Sequence, residues 1–464
     1  MLRLGRRARC GLFGHRFDDD ISLRRTRRDP LTPREARMLT LCPRRAGAIC
    51  WLALLLAARP TLAGDDDFPK VNWGLLGDAR AVATDDTVSW LDEGLGKTRY
   101  GASDDGDARR LLRLSQASAT LSVFFTDEIS TKLHVNVDAD PSSRYDGKAI
   151  DYLDVVEANF SYRPVLSPHV RLATRFGLVF PFTVENDGKA WTATRTITAS
   201  AANSWIGEEV RPTAAEIGVI LSPEGHEISL TGAAFVANDP AGTLLAWRGW
   251  ALHDRLTGIH DEIPLAPIPS VEEGGIFARQ ARWDMPIKEL DGRIGWYARA
   301  SWVYGNRFDL RAFYYDNRGD PLRFDGNQYA WDTRFKNLAA IVPAGPHVEL
   351  IGQWMAGHTE MGPRAAVLDF DTESLLATAF WGRHRVTVRY EEFSTTDLDR
   401  FQLEDDNDEE GKAWTAAYIL ETGEKHRLAF ELLRVESDRD ERAAIGLPIH
   451  AEELTAQLSF RIWY

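Results

Sequence analysis

The carboxyl-terminal segment alternates between apolar and polar residues, and this pattern constrains the fold more than any other feature. Counting back from the terminus, one set of alternate positions holds Tyr464, Ile462, Phe460, Leu458, Ala456 and Leu454. Apart from Trp463, the intervening positions are polar. A period of two places successive side chains on opposite faces of a strand, so one face is apolar and the other is wet. A strand of about 9–11 residues can cross a bilayer when it is tilted by about 45°.

The same alternation recurs through the chain. In 293–304, Trp296 and Trp302 flank small residues on one face, while Arg299 lies on the other. The sequence therefore predicts an all-β fold, a transmembrane antiparallel up-and-down β-barrel of about 16 strands, with 14 to 18 allowed. The candidate strands lie between 111 and 464 and include 168–181, 244–252, 293–304, 327–341, 384–393 and 453–464.

Tight and long connections separate these strands. The long ones are 182–210, 253–292 and 394–411. Tight turns at one end and long loops at the other are typical of outer-membrane barrels. Residues 65–110 are polar and rich in Gly and Asp, so we expect a lead-in or plug there and the barrel at 111–464. A soluble sandwich or barrel with an inward apolar face would show the same alternation.

The amino-terminal region has the features of an export leader. Residues 47–58 are apolar, follow two arginines and precede small residues, which is typical of a secretory signal too short to span a membrane. We therefore expect residues 1–64 to be a leader, with Met38 as the true start. All three cysteines, Cys10, Cys42 and Cys50, lie in this leader, so the mature chain would hold no disulfide.

The charge of the remaining chain is strongly acidic. Residues 1–64 hold 14 of the 55 basic and five of the 69 acidic residues, which leaves a net charge of −23 for residues 65–464. Such a surface repels phosphate backbones, so no nucleic-acid partner is expected.

With its alternating terminal strand, the chain resembles the porin-like β-barrels of Gram-negative outer membranes. The resemblance implies export through the periplasm to the outer membrane, contact with lipid and lipopolysaccharide, and a possible homotrimer. It also implies that the barrel-assembly machinery recognises the terminal strand as its signal, through Leu454, Leu458, Phe460, Ile462 and Tyr464.

Charged residues lie opposite the apolar set on several candidate strands. In a membrane barrel that opposite face looks into the lumen, and an Arg at the lipid midplane would cost roughly 2–4 kcal/mol. The sequence therefore predicts that the pore is lined by Arg171, Arg175, Arg299, Arg311, Arg334, Arg385, Arg389, Glu157, Glu349 and Glu391. The alternative is that ion pairs fill the lumen and no solute passes.

These features predict a porin-type channel for passive diffusion of small hydrophilic solutes or ions. Loop 182–210, with Trp191, Arg195 and Trp205, or loop 253–292 is expected to fold inward as the constriction. Inward arginines favour anions within a Debye length of about 8 Å, against the acidic bulk charge. The alternatives are a non-conducting barrel with a binding or envelope-assembly role, and a barrel hydrolase acting on lipid.

Local motifs for other chemistry are weak. Gly94–Thr98 hints at a phosphate loop, but Leu91 stands where its first glycine would be. No enzyme activity and no cofactor are predicted, because no catalytic motif is present.

No metal site is predicted either. His253, His260 and Asp261 cluster in one loop as weak zinc candidates. The acidic run Glu404–Glu410 lacks the spacing of an EF-hand, so we interpret it as a solvated loop tip, with divalent-cation binding beside lipopolysaccharide as the alternative.

Overall fold

The structure, a computed structural model, describes residues 68–102, 106–137, 153–401 and 405–464. Within these residues, sixteen long strands form a closed antiparallel β-barrel. The predicted leader, with its cysteines and Met38, lies outside the described residues.

The strands follow one another around the barrel in chain order. The first eight are β1 (Lys70–Ala83), β2 (Arg110–Phe124), β3 (Ile129–Val137), β4 (Leu153–Tyr162), β5 (Val170–Leu178), β6 (Thr213–Leu221), β7 (His226–Val236) and β8 (Gly295–Tyr304). The other eight are β9 (Phe308–Asp316), β10 (Asp332–Pro343), β11 (Val348–Met361), β12 (Ala366–Trp381), β13 (His384–Asp397), β14 (Glu409–Glu421), β15 (His426–Arg439) and β16 (His450–Trp463).

Shorter elements lie in the connections. The helices are α1 (Ala201–Glu208), α2 (Thr243–Trp247) and α3 (Glu441–Ala444), with 3₁₀ turns at Trp90–Asp92 and Lys189–Trp191. Short strands occur at Val165–Ser167, Ile263–Pro264, Trp283–Asp284, Phe324–Asp325 and Gln328–Tyr329. Among the helices of the described ranges, none combines the length and apolar character needed to span a membrane.

Strand β1 closes the barrel. It pairs with β2 along its length and with β16 from Leu76 opposite Trp463 to Ala83 opposite Ala456. This pairing joins the first strand to the last, so the sheet closes on itself, which is the condition for a sheet in lipid.

The two ends of the barrel differ as the sequence predicts. One end, here called the tight-turn end, carries the connections 125–128, 163–169, 222–225, 305–307, 344–347, 382–383 and 422–425. The opposite, long-loop end carries 179–212, 237–294, 317–331, 362–365 and 440–449, together with the described residues 84–102, 106–109, 398–401 and 405–408.

The outer face of the barrel carries an apolar band between two aromatic rows. On β13 and its neighbours, Val388 is exposed between Ala377 and Ala416. Towards the long-loop end, Tyr390 lies beside Trp414 with ring centroids 4.6 Å apart. Trp302 and Tyr304 mark the tight-turn row on β8. The outward apolar face contradicts the soluble-sandwich alternative, in which that face would be buried.

The position of the first strand corrects one prediction. The segment 65–110 was expected to be a lead-in or plug, but Lys70–Ala83 is a barrel strand. Its outward positions include Ala79, Ala81 and Ala83, while Asp78 and Arg80 point inward and are buried. With alanines facing outward and charges facing inward, the strand lacks a strongly apolar face, so its alternation is hard to see.

A second correction concerns the predicted strand 244–252. This segment begins with helix α2, and Leu244, Trp247 and Trp250 are fully buried. An apolar run buried on every side does not show whether it belongs to the barrel wall or to the material inside. The predicted total of 16 strands agrees with the structure because the missed β1 offsets the false strand.

Candidate functional site: the lumen and its plug

Three long connections fold into the barrel and fill the long-loop half of its lumen. We call them the plug, defined as residues 84–102, 106–109, 179–212 and 237–294. The sequence predicts that 182–210 or 253–292 folds inward, and for 182–210 the contacts of Trp205, which is 1 % exposed, show this inward folding. Its ring packs on Trp250 of the plug and on the wall residues Phe335 and Phe370, with centroid distances of 6.0, 5.0 and 5.3 Å.

The apolar core of the molecule therefore lies inside the barrel. Inward residues of β8–β13 such as Tyr297, Phe313 and Met355 belong to one buried cluster with Trp205 and Ile206 of α1. Closely packed aromatic rings exclude water, so this half of the lumen is a packed interior.

Buried ion pairs fix the plug to the wall. Arg389 donates to Glu185 at 2.9 Å and to Glu391 at 2.8 Å, and also to the carbonyl oxygens of Thr198 and Ala199. Arg389 is fully buried, and Glu391 also accepts from the backbone N–H of Ala201 at 2.8 Å. A buried charge needs such partners because its desolvation is otherwise uncompensated.

A second network joins β1 and β16 to the plug. Asp78 accepts from Arg461 at 2.6 Å and from Arg80 at 2.9 Å. Arg80 also pairs with Asp254, which pairs in turn with Arg99 at 3.3 Å. Burial would raise the pKa of Asp254, but Arg80 and Arg99 outweigh it and lower that pKa to about 2. The carboxylate therefore remains charged.

A third contact holds α1 against residues 248–255. Glu208 pairs with Arg248 at 2.7 Å and accepts from Nε2 of His253 at 3.0 Å. Burial would raise the pKa of Glu208, but Arg248 and His253 hold it well below its ordinary range. Burial also lowers the pKa of His253, and its Nδ1 accepts from the backbone N–H of Arg255 at 3.2 Å. The neutral Nε2–H tautomer satisfies both contacts.

The residues predicted to line the pore fall into three groups. Arg171, Arg175, Arg299, Arg311, Arg385, Glu157 and Glu349 lie on the inner face towards the tight-turn end, as strand alternation and their contacts place them. Arg389 and Glu391 also face inward, but they are buried beneath the plug. Arg334 does not face the lumen.

The prediction for Arg334 is wrong because the polarity of β10 is reversed along part of its length. Arg334 is exposed on the outer face opposite Asp316 and His358, while Phe335 and Ala339 face inward and are buried. The apolar plug requires an apolar inner wall here, and the outward charges lie on the long-loop side of the apolar band.

The predicted assembly residues all lie on the outer side of the barrel. Leu454, Leu458, Phe460, Ile462 and Tyr464 are exposed on the outer side of the β16 end of the chain. Tyr464 stacks on Trp73 of β1 at 4.7 Å. Their role as an assembly signal stays a prediction.

The described residues enclose two cavities on the inner side of the barrel wall towards the tight-turn end. The larger, which we call the mixed-charge cavity, has a volume of about 420 Å³ and is bounded by Phe180, Phe182 and Trp191 of the plug. Its charged lining residues are Lys132, Glu157, Arg175, Glu227, Arg299, Asp309 and Arg311. Among them, Glu157 pairs with Lys132 at 2.7 Å.

The smaller, which we call the basic cavity, has a volume of about 250 Å³ and lies between β1, β13–β16 and the plug. Its charged lining residues are Lys189, Arg385, Arg427, Arg461 and Glu421. Arg427 donates to the carbonyl oxygen of Ala193 at 3.1 Å, and its Nε is buried without a hydrogen-bond partner. Cations therefore predominate in the lining.

Several of these lining residues were missed by sequence reasoning. Lys132 lies on a strand with weak alternation, and Lys189 lies in the plug, where no face can be assigned from sequence. Arg427 and Arg461 stand at alternate positions of clearly patterned strands and could have been found by extending the same argument to β15 and β16.

The weak motifs have structural explanations. In Gly94–Thr98, the backbone N–H groups of Lys97 and Thr98 donate to Glu453, at 2.6 and 3.1 Å, where a phosphate loop would bind its anion. The Lys97 ammonium pairs with Glu409 at 2.6 Å. Internal carboxylates therefore take the groups that would hold a phosphate.

The three zinc candidates take different partners. His253 contacts Glu208, His260 contacts Asp154 at 3.0 Å, and Asp261 accepts from the backbone N–H of Gly258 at 2.8 Å. These contacts explain the polar residues of this loop without a metal.

Comparison with known proteins gives one consistent result. No family model and no curated protein matches the sequence. The outer membrane channel DcaP of Acinetobacter baumannii matches the structure with a TM-score of 0.51 and 10 % identity, over 87 % of this chain and 100 % of that one. The anion-selective porin from Comamonas acidovorans matches with a TM-score of 0.50 and 11 % identity, over 86 % and 100 %. The chain has the fold of Gram-negative outer-membrane porins.

Proposed function

We propose that this protein is an outer-membrane channel for passive diffusion of small hydrophilic solutes or ions, with a preference for anions. The observation that carries the proposal is a closed sixteen-strand barrel with an apolar outer band and a charged, cavity-containing inner face at the tight-turn end. An apolar band between aromatic rows suits lipid, and fixed charges on an inner wall select ions.

The local charges support the preference for anions. The basic cavity brings Lys189, Arg385, Arg427 and Arg461 together around Glu421, and Asp78 compensates Arg461. Within a Debye length of about 8 Å, these cations outweigh the acidic charge of the whole chain. The Comamonas porin with the same fold is described as anion-selective, which agrees with this proposal.

The plug narrows the lumen, and we therefore expect a low conductance. Because it packs against the wall at the long-loop half, we propose that the route is narrow and follows the basic cavity. The same packing favours the second candidate function, a non-conducting barrel whose loops bind a partner or assist envelope assembly. The proposal includes outer-membrane lipid and lipopolysaccharide around the apolar band as partners. It also includes recognition of the terminal strand by the barrel-assembly machinery, and association into a homotrimer.

Single-channel recording in planar bilayers under a salt gradient tests the proposal. We expect discrete steps of low conductance and a reversal potential of the sign for anion preference. Arg385→Gln combined with Lys189→Gln should reduce that preference, whereas outward Arg334→Gln should leave it unchanged. If protein that is shown to be folded by heat-modifiable gel migration gives no conductance steps, the channel function is rejected and the binding function is favoured.

Replacing residues 182–210 by a short linker tests the role of the plug. We expect the conductance to rise because the packed half of the lumen opens to water. An unchanged conductance in a folded variant would show that this loop does not limit passage.

A further inference from the structure

Three arginines of the basic cavity converge on two consecutive carbonyl oxygens of the plug. The carbonyl oxygen of Ala193 accepts from Arg427 at 3.1 Å and from Arg461 at 3.5 Å. The next one, that of Thr194, accepts from Arg427 at 3.4 Å and also from Arg385. Arg427 therefore stands between two further guanidinium groups, each of which shares an acceptor with it. Like charges at such short range repel one another, and an anion among them relieves that repulsion.

The central guanidinium group of this cluster is buried and has no anionic partner. Arg427 is 4 % exposed, and its hydrogen bonds end on neutral carbonyl oxygens. Its Nε is buried and has no hydrogen-bond partner. Neither Arg427 nor Arg385 forms an ion pair with a carboxylate among the residues that the structure describes. Because a buried cation is costly when no anion compensates it, this cavity favours an anionic ligand.

The net charge of the lining indicates the charge of that ligand. Lys189 lines the cavity as a fourth cation, and its side chain is exposed. Asp78 pairs with Arg461 at 2.6 Å, and Glu421 lines the cavity opposite Arg427 on the neighbouring strand. Four cations and two carboxylates leave an excess of two positive charges. An anion with two negative charges balances this excess.

The mixed-charge cavity shows how a lining is compensated by the protein itself. Arg175 pairs there with Glu216 at 2.7 Å, and Arg311 donates through Nε to Asp309 at 3.1 Å. Each of these arginines has a carboxylate partner, whereas two arginines of the basic cavity have carbonyl oxygens alone. The unbalanced charge is therefore a property of the basic cavity and not of the inner wall in general.

We propose that the basic cavity binds one small, doubly charged oxyanion of the sulfate or phosphate type, held by Arg385, Arg427 and Lys189. A guanidinium group presents planar N–H donors that match the oxygens of such an anion, while the lysine ammonium adds a point charge. The cavity volume of about 250 Å³ lies below the roughly 300–1,000 Å³ of pockets for drug-sized ligands, which suits a small ion. The inference rests on the proposed function for the route of the anion into the lumen, and deepens it by naming the class of solute.

Equilibrium dialysis of the folded full-length protein in detergent against radiolabelled sodium sulfate, at constant ionic strength, tests the site. Sulfate is the probe because it stays doubly charged at neutral pH. We expect one sulfate bound per protein, displaced by unlabelled phosphate but not by the same concentration of nitrate, a singly charged oxyanion. Arg427→Gln and Arg385→Gln should each weaken sulfate binding roughly 10- to 100-fold, the loss expected when a charge-assisted hydrogen bond is removed.

Outward Arg334→Gln is the matched control and should bind sulfate like the unaltered protein. Absence of saturable sulfate binding by the unaltered protein would overturn the proposal, and so would equal binding by Arg427→Gln and Arg334→Gln. Equal displacement by nitrate would overturn the assignment of a doubly charged ligand. If Arg427→Gln fails to fold by heat-modifiable gel migration, Arg385→Gln decides alone, because that side chain is only partly buried.

The site and the channel fail in different ways. Sulfate binding by a protein that gives no conductance steps would reject the channel function and support the site. Conductance steps from a protein that binds no sulfate would support the channel function and overturn the site.

Discussion

Arg389 and Arg334 have the same sequence signature, yet one is the centre of a buried network and the other faces outward. Substitution of Arg389 by Leu leaves Glu185 and Glu391 buried without their cation. Breaking such a pair on one side costs about 3–5 kcal/mol. We therefore expect Arg389→Leu to reduce the free energy of unfolding by that amount, measured by urea denaturation in detergent.

Arg334→Gln is the control for this comparison. Its side chain is exposed, and surface substitutions usually change stability by about 0.5 kcal/mol or less. Similar small effects of both substitutions would contradict the assignment of Arg389 as the residue that anchors the plug.

His253 predicts a pH dependence of stability with a definite sign. Burial lowers the pKa of the folded His253, so the folded state binds its proton less readily than the unfolded state. The stability that the neutral ring provides is therefore present above the unfolded pKa of about 6.5 and is lost as the pH falls below it. Protonation of Nδ1 would also break its hydrogen bond from Arg255.

His253→Gln should remove this part of the pH dependence. We expect unfolding free energies measured between pH 5 and 7 to fall less steeply towards acid in this variant than in the unaltered protein. His347→Gln, at an exposed position in a tight turn, should retain the original slope. An unchanged slope in His253→Gln would assign the acid sensitivity to other groups.

Strand β1 is the element whose role differs most from the one that its sequence pattern indicates. Truncation distinguishes a barrel strand from a lead-in or plug. A chain that begins at Thr84 lacks the strand that pairs with both β2 and β16, so both would become open edges. We expect it to fail to form a heat-modifiable barrel, because unpaired backbone groups in lipid cost several kcal/mol each. A chain that begins at Lys70 keeps the strand and should fold; folding of both would contradict closure by β1.

The strands that could be predicted from the sequence are those with one face in an apolar environment and the other in a polar environment. β16 alternates cleanly because Leu458 and Phe460 face outward while Ser459 and Arg461 face a polar part of the interior. On β10, the interior is the apolar plug, so Phe335 faces inward and the alternation no longer identifies the lipid side. Helix α2 was mistaken for a strand for the same reason, since it is buried on every side.

The sequence predicts which charged residues of the strands face the interior, but it does not predict which residues they pair with. That Arg389 and Arg175 face inward follows from strand alternation alone. Their partners do not, because Glu185 lies 204 residues from Arg389 and in a connection with no periodicity. Contacts between a wall and a plug depend on how the connection folds back, and local sequence pattern does not encode this.

The barrel as a whole should have two distinct zones on its outer face. On β13, Val388 lies within the apolar band, and Ser394 lies beyond the aromatic row near Asp371 and Glu410. If lipid surrounds the first zone and water the second, the same substitution must have different costs at the two positions. An Arg on the lipid face costs about 2–4 kcal/mol at the midplane and about 0–1 near the interface.

We therefore expect Val388→Arg to lose about 2–4 kcal/mol of folding free energy in phospholipid bilayers and Ser394→Arg to lose about 1 or less. Urea titration of folding into vesicles measures both, and the shared strand makes each the control for the other. The acidic neighbours of Ser394 should favour the new cation, which further separates the two results. Equal costs would mean that the apolar band does not face lipid, and the membrane placement of the barrel would then have to be abandoned.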